Sequence, residues 1–244
     1  MKKLNLIMGL AVLATAVSCV KSDADSEGYV SFLISADQYL PDVTKSNVSD
    51  YTELPQPDDF VLSVANASGA SVWSGKSSDW APETKLQVGE YTVKAVYGDI
   101  EDEGFDKPCF EGTKTFTVKA KETSQVDISA SLINTVIKIS CTDNLKNYYK
   151  DYTFKLERNN SDIVTFEKGE ERAAFVDGYK LTVTGTLTTE AGSEKTFSHD
   201  YTGLASATAY NMIFDIAGVG NGTLTISFNN TVETVELGDV ELND

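Results

Sequence analysis

Alternation of apolar and polar residues at a period of two constrains the fold of this chain more than any other feature of its sequence. Val30, Phe32 and Ile34 fall on one face of a predicted strand, and the segment 89–98, bounded by glycines, repeats the pattern. Successive side chains of a strand point to opposite faces, so this pattern places one face on a core and the other in water. No segment keeps a helical period over three turns, although 143–151 has room for one turn. The chain is therefore predicted to be all-β.

Spacing of the predicted strands indicates sandwiches. Short strands about 8 to 12 residues apart, separated by Gly, Asn and Asp, are typical of β-sandwiches rather than of crossover sheets. One strand pattern closes at Leu132 and a new one starts at Val136 with almost no linker between them. We therefore predict two tandem β-sandwich domains of the immunoglobulin-like kind, over residues 28–132 and 133–244, since domains of about 100 residues are common.

The N-terminus has the pattern of an export signal. Two lysines precede an apolar run over 4–17, which is shorter than the roughly 20 residues needed to span a bilayer and ends in small residues. Residues 1–18 are therefore predicted to be a removed signal peptide. A small residue directly before Cys19 resembles the lipobox of bacterial lipoproteins, whose cysteine becomes the acylated first residue. The alternative is an ordinary secretory signal with Cys19 as an incidental thiol.

Lipidation at Cys19 predicts a membrane partner and a location. Two or three acyl chains would make anchoring effectively permanent. Residues 19–27 then form a lipidated, acidic tether, because they contain nothing to bury. The same acidic stretch resembles the signal that sends some lipoproteins to the outer face of the outer membrane, so we expect lipid anchoring there, at the cell surface.

Charge and composition exclude several functional classes. The formal net charge of −17 disfavours nucleic acid as a partner. His199 is the lone histidine, and no nucleophile motif points to it as a triad base. We expect no enzymatic activity and no cofactor. The acidic run 99–106 does not follow the spacing of a calcium-binding EF-hand loop and is interpreted as a solvated loop, with calcium as the alternative.

Two pairs of residues leave alternatives open. Cys109 and Cys141 lack C-x-x-C spacing, so zinc is disfavoured, and they form either a disulfide or two buried free thiols. Trp73 is predicted to fill the first core, whereas Trp80 is the better candidate for an exposed ligand contact.

Ordered segments along the mature chain resemble the fimbrillin superfamily of pilus subunits and related cell-adhesion lipoproteins, which have two transthyretin-like β-sandwich domains. The matching segments are Cys19, 28–32, 43–46, 59–64, 88–95, 105–112, 116–118 and 208–215. The resemblance implies an adhesin or a pilus (fimbrial) subunit, or an accessory component of a fimbrium, with a host or glycan ligand.

In pilus-forming relatives, as the resemblance implies, a protease cuts after a basic residue in the loop that follows the first strand. Lys45 occupies that position here, and a neighbouring pilus subunit would then fill the groove by strand addition. The alternative for Lys45 is a plain surface lysine, because no obvious donor extension follows residue 240. The alternative function is a surface glycan-binding lipoprotein of a nutrient-uptake system, which would require clustered exposed aromatic side chains.

Overall fold

The computed structural model describes residues 26–40, 46–216, 223–228 and 231–236, and it confirms an all-β fold. The strands that precede residue 133 are β1 (Glu27–Ala36), β2 (Val61–Asn66), β3 (Ser71–Lys76), β4 (Lys85–Gln87), β5 (Gly89–Tyr97), β6 (Gly104–Phe105), β7 (Phe110–Val118) and β8 (Thr123–Leu132). Those that follow are β9 (Thr135–Cys141), β10 (Tyr149–Arg158), β11 (Ser161–Phe166), β12 (Ala174–Val176), β13 (Lys180–Thr189), β14 (Glu194–Thr202), β15 (Ala209–Ile216), β16 (Thr223–Phe228) and β17 (Thr231–Glu236).

The first sandwich consists of two layers that are joined at one corner. Strands β3, β2, β5 and β7 form an antiparallel layer, and β8, β1 and β4 form the other. Strands β7 and β8 pair only where Phe110 faces Leu132 and Glu111 faces Ser131, so the sheet folds over on itself beyond that corner. Strand β1 runs parallel to β8 and antiparallel to β4.

The second sandwich repeats this topology. Strands β11, β10, β13 and β14 form one layer in the same order as β3, β2, β5 and β7. In the other layer β9 runs parallel to β15 and antiparallel to β12, as β1 does to β8 and β4. The hairpin of β16 and β17 extends β15 and has no counterpart among the strands described in the first sandwich. Each sandwich is thus closed by pairing its first strand with a later, parallel one.

Two hydrophobic cores follow from the alternation seen in the sequence. Val30 is fully buried and Ile34 is 5% exposed, whereas Leu33 between them is 57% exposed, as predicted. The boundary between the two cores crosses β9 between Val136 and Ile137, and buried residues of β12 and β15 also contribute to both cores. The two cores therefore meet across three neighbouring strands, with no linker between them.

Among the described residues, one short α-helix and three 3-10 helices interrupt the strands, the latter at Val48–Asp50, Pro57–Asp59 and Ser77–Asp79. Helix α1 (Asp143–Tyr148) supplies the single turn that the sequence allowed, with the Thr142 hydroxyl accepting a hydrogen bond from the Leu145 amide and Leu145 fully buried. Within the described ranges, no helix has the length and apolar character required to cross a membrane.

Tyr179 departs from the predicted pattern. A period of two over Tyr179, Leu181 and Val183 predicts all three on the core face, and Leu181 and Val183 are indeed fully buried. The prediction is wrong for Tyr179, because β13 begins only at Lys180 and the side chain of Tyr179 is 75% exposed. The Tyr179 carbonyl accepts a hydrogen bond from the Leu204 amide, which fixes the backbone at this position.

Candidate functional site

The most distinctive backbone feature of the first sandwich is the place that β1 occupies, which we call the first-strand groove and define by β8 on one side and β4 on the other. Strand β1 pairs in parallel with β8 over eight residues, from Tyr29 opposite Thr123 to Ala36 opposite Ala130. Its pairing with β4 covers three residues. The backbone of this strand is therefore held laterally by β8 and, near its start, by β4 and the residues that directly precede these two strands.

Apolar side chains hold β1 against the core. Val30 and Ile34 are buried, and the Phe32 ring packs edge-on against Trp80 and Phe116, with centroids 4.8 Å and 5.7 Å away. The indole Nε1 of Trp80 donates a 2.9 Å hydrogen bond to the Val30 carbonyl. A side chain from the loop after β3 therefore locks the middle of β1 in place.

Both ends of β1 are fixed by specific contacts. A Cβ atom on Gly28 would lie 2.2 Å from the Lys119 carbonyl oxygen, so no larger residue fits there without a shift of the backbone. At the other end, the Asp37 carboxylate accepts hydrogen bonds from the hydroxyls of Ser129 and Ser131 on β8. The register of β1 on β8 is thus set at both ends.

The chain leaves β1 through a loop whose base is anchored in the core. The Leu40 amide donates to the Ser46 carbonyl at 3.2 Å, the Val48 amide donates to the Gln38 carbonyl at 3.0 Å, and Leu40 and Val48 are buried. Lys45 lies outside the described residues, in the segment between Leu40 and Ser46, and the predicted cleavage there stays a prediction.

The N-terminal predictions also lie outside the described residues. The signal peptide 1–18, Cys19 and most of the tether 19–27 precede Ser26, where the description begins. Lipidation at Cys19 and the acidic tether therefore stay predictions.

The two tryptophans pack together on the first core. Trp80 is only 9% exposed and belongs to the first core, with its single N–H group already bonded to β1. Trp73 is the more exposed of the two and packs edge-on against Trp80 at 5.0 Å between ring centroids. The structure thus corrects the assignment of Trp80 as an exposed ligand contact: the loop after β3 turns inward and the ring seals the space beside β1.

The acidic run 99–106 is a solvated loop only in part, because its second half contacts the second sandwich. Glu103 accepts hydrogen bonds from both terminal nitrogens of Arg158, at 2.7 Å and 2.8 Å, and a third from the Asp177 amide at 2.6 Å. Strand β6 within this run pairs with β12, through Phe105 opposite Ala174 and Gly104 opposite Phe175. We call residues 99–107 the acidic clasp.

A second arginine completes the acidic clasp. The Arg172 guanidinium pairs with Asp106 at 2.7 Å and with Glu170 at 2.8 Å, and it lies 4.5 Å from the centroid of the Phe105 ring. Hydrogen bonds from Arg172 lower the pKa of Glu170 to about 2. The Glu103–Arg158 and Asp106–Arg172 ion pairs thus each join a carboxylate of the acidic clasp to an arginine of the second sandwich.

The sequence contained one signal for this contact. Arg158 and Arg172 are the only arginines among the 20 basic residues of the chain, and both bind the acidic clasp. Arginine is favoured over lysine where a carboxylate is held by two parallel hydrogen bonds. The presence of only two arginines in a chain with a dense acidic run therefore indicates specific pairing between arginine and carboxylate side chains.

The remaining polar candidates are two cysteines and the histidine. Cys109 and Cys141 are free thiols, and burial raises the pKa of each to about 11. His199 lies half-buried on β14 with its ring 4.8 Å from that of Tyr201. In the described part of the chain, no cluster of three or more His, Cys, Asp or Glu side chains is arranged to hold a metal ion.

Comparison with known proteins gives a family and several similar solved structures. A structure described as a "putative cell adhesion protein" from Bacteroides ovatus ATCC 8483 has a TM-score of 0.46 at 13% identity, covering 88% of this chain and 99% of that one. Others from Bacteroides thetaiotaomicron VPI-5482 are described as "putative polysaccharide binding proteins (DUF1812)" (TM-score 0.45, 12% identity, 87% and 100% covered) and a "putative adhesin" (0.45, 13%, 87% and 98%).

No curated protein is significantly similar to the sequence. The family model described as "Domain of unknown function (DUF4493)" matches residues 26–243, which is most of the chain. The chain therefore belongs to the DUF4493 family.

Proposed function

We propose that this chain is an exported lipoprotein, anchored by acyl groups on Cys19 to the outer membrane, that acts without enzymatic activity as a surface adhesin or pilus-associated subunit. The observation that carries the proposal is the position of β1, which fills the first-strand groove immediately before the segment that contains Lys45. The N-terminal signal pattern and the two sandwiches fit display at a surface.

The geometry of β1 suits exchange between subunits. A cut after Lys45 would separate β1 covalently from the rest of the sandwich and leave it held only by pairing and packing. Full burial of a Val, Ile or Phe side chain stabilises a fold by about 1.5 to 3 kcal/mol each, so an empty groove would be several kcal/mol less stable. Loss of β1 would also leave one edge of β8 unpaired. A donor strand with the same alternation of apolar and polar residues would restore this pairing.

The C-terminal strands favour an accessory or anchoring role over that of a self-polymerising subunit. Strands β16 and β17 form a hairpin on β15 within the second sandwich. The chain therefore presents an acceptor groove, while its described C-terminal strands are engaged in its own sheet. A donor strand would come from a partner subunit.

Strand exchange in solution tests the proposal. We would treat the protein from residue 20 onward, without lipid, with trypsin under native conditions and identify the new N-terminus by mass spectrometry. We expect Ser46 at that terminus and expect the cleaved β1 fragment to stay bound. An excess of a fluorescent peptide of residues 27–36 should then displace this fragment, and the fluorescence anisotropy of the peptide should rise as it binds.

Two controls make this test specific. Lys45→Gln protein should resist the cut and bind no peptide, and a peptide carrying Ile34→Asp should fail to displace β1, because it would bury an unpaired charge. Release of β1 without uptake of the native peptide would contradict strand exchange.

The alternative of a nutrient-uptake glycan binder loses its main support. That hypothesis required exposed aromatic side chains around Trp80, and this ring is buried beside Phe32. Burial of Trp80 therefore weighs in favour of the mechanical role.

A further inference from the structure

An exposed tyrosine borders a polar groove on the second sandwich. Tyr179 is 75% exposed, the largest exposed fraction among the large hydrophobic side chains of the described residues. The groove beside it has a volume of about 750 Å³. Small-molecule sites commonly have volumes of about 300 to 1,000 Å³, so this groove is large enough for a ligand of several rings.

Three parts of the fold form this groove, which we call the Tyr179 groove. One wall is the turn between β10 and β11, the second is the loop before β13, and the floor consists of outward-facing residues of β13 and β14. The residues that line it are Glu157, Arg158, Asn159, Asn160, Asp177, Tyr179, Lys180, Thr182, Ser198 and Asp200.

Several polar groups in the groove are available to a ligand. Among the described residues, no protein group bonds to the side-chain amides of Asn159 and Asn160 or to the Tyr179 hydroxyl. Asn159 and Asn160 both have positive φ, 51° and 63°, which fixes their positions in the turn. Each amide offers both a donor and an acceptor. By contrast, the Asp200 carboxylate is already paired with Thr182 and Lys180.

The acidic clasp holds both walls of the groove. Glu103 bonds to Arg158 on the first wall and to the Asp177 amide on the second, and Arg158 also donates to the Asp177 carbonyl. One carboxylate from the first sandwich thus fixes the distance between the two walls. A groove fixed before ligand arrives has less ordering cost on binding.

The chemistry of the groove selects a class of ligand. Its three carboxylates and two cations leave one net negative charge, on a chain of net charge −17, so anionic ligands are disfavoured. Only one of the ten lining side chains is aromatic, so an extended apolar ligand would bury few contacts. A sugar ring matches both features, since its C–H face stacks on an aromatic ring and its hydroxyls hydrogen-bond to amides. We propose that the Tyr179 groove binds a neutral saccharide.

This inference deepens the proposed function, on which it rests, by naming the contact surface of the adhesin. We would test it with the lipid-free Lys45→Gln protein and three neutral hexasaccharides, composed of α-linked glucose, of β-linked glucose and of mannose. Saturation-transfer NMR and calorimetry would measure binding. We expect at least one hexasaccharide to bind, and Tyr179→Ala to weaken it about tenfold, as loss of about 1.4 kcal/mol of stacking implies.

Matched variants separate recognition from folding. Tyr39→Ala removes a tyrosine that is 66% exposed on the first sandwich, and it should leave binding unchanged. Asn160→Gly keeps the positive φ while removing the amide, so it should weaken binding several-fold with the unfolding midpoint preserved. Binding that survives Tyr179→Ala, binding by none of the three hexasaccharides, or binding only to an anionic heparin hexasaccharide would overturn the proposal.

The design also separates this site from strand exchange. Because the Lys45→Gln protein is never cut, saccharide binding is measured without any displacement of β1. Exchange without saccharide binding would overturn the Tyr179 groove alone, whereas saccharide binding without exchange would overturn the assembly mechanism alone.

Discussion

Removal of one carboxylate from the acidic clasp should uncouple the two sandwiches. In Glu103→Ala, Arg158 loses two charge-assisted hydrogen bonds and the Asp177 amide loses its acceptor. The Glu103 side chain is 14% exposed and that of Arg158 is 30% exposed. Exposed ion pairs contribute about 0.2 to 1 kcal/mol, and breaking a buried one costs about 3 to 5 kcal/mol. This partly buried pair lies between those limits, so we expect a loss of about 2 to 3 kcal/mol.

Two spectroscopic signals distinguish the sandwiches during urea unfolding. The sequence has two tryptophans, and Trp73 and Trp80 both pack in the first core. Tryptophan fluorescence therefore reports on the first sandwich, whereas far-UV circular dichroism reports on both. In the parent protein, we expect the fluorescence and circular-dichroism transitions to coincide. In Glu103→Ala, we expect their midpoints to separate, because without the contacts of Glu103 the two sandwiches no longer unfold as one cooperative unit.

A neighbouring carboxylate provides the control. Asp102 pairs with Lys107 at 2.7 Å within the clasp, and both side chains are about half exposed. Asp102→Ala should change the free energy of unfolding by less than about 0.5 kcal/mol, as expected of an exposed pair. Coincident midpoints in Glu103→Ala, or an effect no larger than that of Asp102→Ala, would refute the role assigned to the clasp.

Two further predictions concern buried groups. Trp80→Phe removes the hydrogen bond to the Val30 carbonyl and part of the ring. It should therefore lower the free energy of unfolding, measured by urea titration, by about 1 to 3 kcal/mol. An unchanged urea midpoint would mean that the indole does not hold β1. Burial raises the pKa of Cys109 and Cys141 from 9.0 to about 11, so native protein should react slowly with a thiol reagent at pH 8 and unfolded protein quickly. Because the unfolded thiols ionise first, stability should fall as pH rises from 9 to 11, and rapid native labelling would contradict this.

Local alternation predicted the parts of the fold that depend on one strand at a time. The buried positions Val30 and Ile34 of β1 follow from a period of two. A one-residue shift would exchange the two faces of such a strand, so the pattern is strongly constrained. This is why the fold class was predictable.

Contacts between distant segments were not predictable in the same way. Trp80 turns inward because the loop after β3 carries it to Val30, 50 residues earlier in the chain. The acidic clasp joins Glu103 to Arg158 across 55 residues. Contacts between residues so far apart in the chain produce no repeating pattern of apolar and polar residues in the sequence. Tyr179 looked like a core residue because it continues the spacing of Leu181, yet the strand starts one residue later.

Protease treatment of intact cells that express the lipoprotein, followed by mass spectrometry of the new N-terminus of the protein, tests whether β1 is exchanged between subunits. We expect cleavage after Lys45, a new terminus at Ser46 and higher assemblies on gels, all abolished by Lys45→Gln. Surface protein that remains an intact monomer with its N-terminal segment retained would rule out strand exchange, because β1 would then be a permanent part of the first sandwich.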